Sequence, residues 1–136
     1  MSKNENELAH TVIGLAIEVH RILGPGFHKD VYTECLKHEF SASGLKASFD
    51  VHVPIAYKDK IIETAHSIDC IVDDRLLLKF ETVEQIPEVT VNAIVKTLRQ
   101  GQFKLGLIIN FHSPLLKNGI RRINNRTGEN EANDSH

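Results

Sequence analysis

Apolar residues in this chain change their period near Gly44, from the 3.6 of an amphipathic helix to the 2 of a half-buried strand. From about Glu5 to Leu23, the residues Leu8, Val12, Leu15, Ala16, Val19, Ile22 and Leu23 recur on one helical face. Asn4 or Asn6 suits the start as a cap, and Gly24-Pro25-Gly26 stops the run. A second helix, from about Lys29 to Ala42, carries Val31, Tyr32, Cys35, Leu36 and Phe40, with Gly44 as its stop. A helical hairpin followed by strands buries both patterns only if the helices lie on a sheet.

After Gly44, Phe49, Val51, Val53, Ile55 and Tyr57 alternate with other residues and read as one strand face, while Asp50 and His52 point the other way. Pro54 lacks a ladder donor and implies an edge or a strand end. Lys58-Asp59-Lys60 suits a hairpin turn. Strands at Ser67 to Val72 and Arg75 to Thr82, joined by Asp73-Asp74, complete a three-strand antiparallel meander. Pro87 and Glu88 open a third helix that runs to about Arg99 and ends at Gln100-Gly101. A strand from Phe103 to Asn110 follows as in a crossover connection, and Gly119 to Ile123 adds an edge strand. The order is ααβββαβ(β): an α/β or α+β protein with helices packed on a mixed sheet.

The length, 136 residues, suits one domain over residues 1–123, with a disordered polar tail over 124–136 where apolar residues nearly vanish. A domain of this size needs no disulfide or metal to fold. The two cysteines, Cys35 and Cys70, lack CxxC spacing and read as small buried hydrophobes. A net charge of -2 excludes a globally basic nucleic-acid binder but leaves a local basic face open. Lys96, Arg99, Lys104, Lys117, Arg121 and Arg122 are its candidates. No apolar run spans a bilayer and the first residues are too polar for a signal peptide, so the expectation is a soluble, cytoplasmic protein without membrane contact.

Charge inside a strand demands an explanation. In Leu76-Leu77-Leu78-Lys79-Phe80-Glu81, the i, i+2 spacing puts Lys79 and Glu81 on one face, and Asp69 on the preceding strand is placed to meet them. Two carboxylates and a lysine are the raw material of a metal-dependent phosphodiesterase site; a self-neutralised pair at a strand end is the plain alternative. The histidines form no HExxH or i, i+4 pair, and P-loop, GxGxxG and GxSxG patterns are absent.

The segment Ile22-Leu23-Gly24-Pro25-Gly26-Phe27-His28-Lys29-Asp30-Val31-Tyr32 resembles the signature of the GxxExxY proteins, small bacterial members of the PD-(D/E)xK nuclease-like superfamily. The likeness continues through Ser67 to Val72, Leu105 to Phe111, Leu116-Lys117 and Arg121-Arg122-Ile123, in the same order. It implies a restriction-endonuclease-like core, an acidic site on adjacent strands, Mg²⁺ or Mn²⁺, and nucleic acid as partner. The family glycine falls on Gly26, its tyrosine on Tyr32 and its first metal-binding aspartate on Asp69. Its signature glutamate falls on Lys29, and its Glu-x-Lys appears reversed as Lys79-Phe80-Glu81. A glutamine of the third helix aligns with Ala93, beside Asn92.

The reversal has a physical consequence. Residues two apart on a strand lie about 6.6 Å apart, whereas Mg²⁺–oxygen bonds are about 2.1 Å, so Glu81 does not stand in for a carboxylate at position 79. Lys79 and Lys29 bring ammonium groups where a dication would sit. The residues that carry the resemblance to catalysis are thus Asp69, Lys79, Glu81, Lys29 and Tyr32, vestigial or rearranged. Charge arithmetic favours a catalytically impaired module that takes no cofactor and serves nucleic-acid binding or an accessory role. One alternative is an active Mg²⁺-dependent DNA endonuclease with metal between Asp69 and Glu81 and Lys79 facing the phosphate; another is a protein-interaction module. A homodimer through the edge near Phe49 to Tyr57, or through the first helix, is the expected assembly.

Overall fold

The structure, a computed structural model, describes residues 3–63 and 67–125. Helix α1 spans Glu5–Leu23. Asn4 caps it: its side chain accepts from the Glu7 N–H at 2.8 Å, and the Glu7 carboxylate accepts from the Asn4 N–H at 2.9 Å. Gly24, at φ 70°, turns the chain out of the helix in a conformation that costs other residues more. Helix α2 follows as Lys29–Ala42.

Strands β1 (Ala47–His52), β4 (Ser67–Val72), β5 (Leu76–Glu81), β6 (Leu105–Asn110) and β7 (Ile120–Asn124) form one sheet in the order β1-β4-β5-β6-β7. Between β1 and β4, β2 (Ile55–Tyr57) and β3 (Lys60–Ile62) make a separate two-stranded hairpin. Asp73 and Asp74 both take positive φ, the requirement of a tight hairpin turn whose twist matches its strands. Helix α3 (Glu88–Gly101) carries the chain from β5 to β6, and these two strands are parallel while the other pairs are antiparallel. The result is the expected mixed sheet between helical layers.

Each face has its own core. Leu8, Val12, Val19, Tyr32, Leu36 and Phe40 of α1 and α2 pack on Val72, Leu78, Phe80 and Ile109. Val91, Ile94 and Leu98 of α3 pack on Ile71, Leu77, Ile108 and Ile123. Among the described residues, no helix is long and apolar enough to cross a membrane.

Three boundaries and one strand face differ from the sequence reading. The single strand expected from Phe49 to Tyr57 is two, because the chain leaves the main sheet at Val53-Pro54. Its apolar face is not continuous either: Phe49 packs toward α1 and α2, Val51 toward α3. Asp50 between them takes φ 55°, and the β1–β4 register passes over Asp50 and Asp69, which stand opposite each other. Helix α3 is closed by left-handed Gln102 rather than by Gly101. The polar tail does not begin at Asn124: that residue ends β7, and the Asn125 side chain donates to the Phe103 carbonyl at 2.8 Å. The rest of the expected tail, 126–136, lies outside the described residues, as does His66.

Candidate functional site

The β4–β5 ladder pairs Cys70 with Leu78, Ile71 with Leu77 and Val72 with Leu76, and ends there. Beyond Leu78 the two strands part. The Phe80 N–H, lost to the ladder, would be an orphaned donor on a fully buried residue, which is costly. It donates instead to Asp69 Oδ2 at 2.7 Å. The side chain of Asp69 thus replaces the missing backbone partner at the fork.

Both lysines of the sequence reading converge on the same carboxylate. Lys29 Nζ, on the first residue of α2, lies 2.7 Å from Asp69 Oδ1. Lys79 Nζ lies 3.4 Å from Asp69 Oδ2 and 3.8 Å from Glu81 Oε2. Two ammonium and two carboxylate groups form one electroneutral cluster, and the Asp69 side chain is only 15% exposed. Burial favours the neutral amine of Lys29, but the hydrogen bond and the charge of Asp69 outweigh it and hold the pKa above the ordinary lysine value. A raised folded pKa means that this contribution to stability is complete below the unfolded lysine pKa and is lost only as pH climbs through the raised one. Lys29 therefore stays protonated at neutral pH. Beside the cluster, burial and then the Asp69 charge push the Cys70 thiol up to about 12.

Tyr32 does a different job. Its hydroxyl donates to the Gly24 carbonyl at 2.6 Å and accepts from the Phe27 N–H at 3.2 Å. Its buried ring stacks on Phe111 with centroids 4.4 Å apart. The tyrosine clasps the turn that delivers Lys29. On α3, Ala93 offers no amide, and Asn92 is exposed.

Asn110 was given no role by the sequence, yet it organises the same end of the sheet. It is buried; its side chain accepts from the Val83 and His112 N–H groups and donates to the Val83 carbonyl at 2.7 Å. The signal was one polar residue closing the apolar run Leu105-Gly106-Leu107-Ile108-Ile109. Two residues of the proposed basic stripe fall on opposite faces of the sheet. On β7, Arg122 faces α1 and donates to Asn6 at 2.9 Å, whereas its neighbour Arg121 alternates to the face of α3.

The donor set does not fit a divalent ion. Asp69 Oδ1 already holds an ammonium at 2.7 Å, and Oδ2 serves an N–H and a second lysine. Among the described residues, no three His, Cys, Asp or Glu side chains are grouped to hold a metal. Two clefts lie elsewhere, one of about 730 Å³ beside Asn4 and Lys104 and one of about 690 Å³ beside Pro87 and Arg121. Neither is lined by Asp69, Lys79 or Glu81.

Comparison with known proteins bears on this arrangement. No curated protein and no solved structure matches the chain significantly. A family model described as PD-(D/E)XK nuclease superfamily matches residues 6–123, which includes both helical layers, the five-stranded sheet as far as Ile123 and every member of the ion-pair cluster. The chain belongs to the PD-(D/E)XK nuclease superfamily.

Proposed function

We propose that this chain is a GxxExxY-type member of its superfamily, a cytoplasmic nuclease-fold protein that has lost metal-dependent cleavage and works as a nucleic-acid-binding or accessory module. The observation that carries the reading is the 2.7 Å contact of Lys29 Nζ with Asp69 Oδ1. A tethered cation sits on the carboxylate that the family resemblance makes the first metal ligand, and Lys79 approaches its other oxygen. Superfamily membership supports nucleic acid as the partner class.

Calorimetric titration with Mn²⁺, paired with a plasmid-nicking assay in Mg²⁺ or Mn²⁺, tests this directly. The expected outcome is no binding heat and no nicking. The competing arrangement, an endonuclease with metal between Asp69 and Glu81 and Lys79 facing the phosphate, predicts nicking that disappears in Asp69→Asn and Glu81→Gln. Activity with that mutational signature would overturn the proposal.

A further inference from the structure

We propose that Lys29 is a built-in cation that ties α2 to the open fork between β4 and β5, so that the fork is held without metal. The inference rests on the metal-free reading above and extends it to what the replaced centre does.

Two routes connect α2 to the fork. One is aromatic: Tyr32 clasps the Gly24 to Phe27 turn, stacks on Phe111, and the Phe111 N–H donates to the Glu81 carbonyl at 2.8 Å. The other is ionic: Lys29 reaches Asp69, which in turn receives the Phe80 N–H. The two routes meet at the end of β5, where the β4 ladder has already stopped. Lys79 makes longer contacts, with Asp69 and with Glu81, and comes from β5 itself, so it bridges no helix to the sheet. Lys29 is the group that joins layers.

The contact also orients Asp69. With Oδ1 held by Lys29, Oδ2 is left to meet the Phe80 N–H. Loss of the lysine would free the carboxylate, leave a partly buried charge with weaker compensation, and loosen the only described partner of that N–H from the β4 side.

The test is thermal unfolding of the full chain in EDTA and in millimolar Mn²⁺, for the natural protein, Lys29→Met and Lys29→Arg. The natural protein should melt at the same temperature in both solutions. Lys29→Met should melt about 3–5 °C lower in both, and Lys29→Arg, which keeps the charge, should recover most of the loss. If Lys29→Met fails to fold, a folded Lys29→Arg carries the same conclusion. The triple variant Lys29→Glu, Lys79→Glu and Glu81→Lys removes the tethered cation and should gain a Tm that rises with Mn²⁺ by mass action. Unchanged melting of Lys29→Met would overturn the tie while leaving the metal-free reading intact. A Mn²⁺-dependent rise in the natural protein that vanishes in Asp69→Asn would overturn the metal-free reading itself.

Discussion

Asp69 has two occupations, and at the scale of single residues they compete. As a backbone substitute it must face the Phe80 N–H; as a metal ligand it would need an oxygen free of cations. In this chain the first is made at 2.7 Å, while Lys29 and Lys79 stand at the oxygens that the second would use. Its neighbour Cys70 yields a prediction about pH. The thiol is fully buried, and its pKa rises from 9.0 to about 12 on folding. Between those values the unfolded chain releases a proton that the folded one keeps, so stability falls as pH rises, by up to about 1.4 kcal/mol per unit. Urea unfolding of the natural protein and of Cys70→Ala at pH 8 and pH 10.5 checks it: the stability difference between the two should narrow at the higher pH. The native thiol should also resist alkylation, since little thiolate forms below its raised pKa.

At the scale of elements, the helices and the crossover were legible because their signals are local. The Asn4-Glu7 pair, the Gly24-Pro25-Gly26 stop and the run Val91, Ile94, Leu98 each act within a few residues. The apposition of Asp69 with Lys79 was legible too, since strand alternation and a short turn between β4 and β5 bring these side chains near each other. The break between β1 and β2 was not, because alternation runs unbroken through Phe49, Val51, Val53, Ile55 and Tyr57 while long-range pairing decides which sheet each joins. The end of the β4–β5 ladder at Leu78 and the clasping role of Tyr32 were hidden for the same reason: both depend on partners distant in sequence. Gly119 is another such case. It ends the short 3-10 helix Leu116–Gly119, and a β-carbon there would overlap the Asn110 carbonyl oxygen and the Ser113 side chain. Gly119→Ala should therefore cost about 1–3 kcal/mol, measured as a lower urea midpoint with an unchanged m-value.

At the scale of the whole molecule, shared architecture and retained chemistry separate. Superfamily membership follows from the pattern over residues 6–123, whereas the proposed loss of cleavage rests on a few charged contacts, those of Lys29 and Lys79 with Asp69. The surface carries the same lesson. With a net charge of -2 and with Arg121 and Arg122 on opposite faces, those two arginines do not contact one duplex together. Anisotropy of labelled duplex DNA should accordingly give binding that is unaffected by EDTA, with a log K against log salt slope no steeper than about −3, the value for roughly three phosphates. A steeper slope would reveal a larger basic footprint than these faces present.

The hydrogen bond between Arg122 and Asn6 joins positions 116 residues apart. It places the start of α1 beside the end of β7, at the Leu105 end of β6, while the cluster sits toward the Asn110 end. Six residues of strand, about 17 Å, separate the two rims. A fluorescent protein or affinity handle fused beyond either end of the described chain would thus emerge away from Asp69. A short linker between those ends should permit circular permutation, with new ends opened at Lys58-Asp59 in the outlying hairpin.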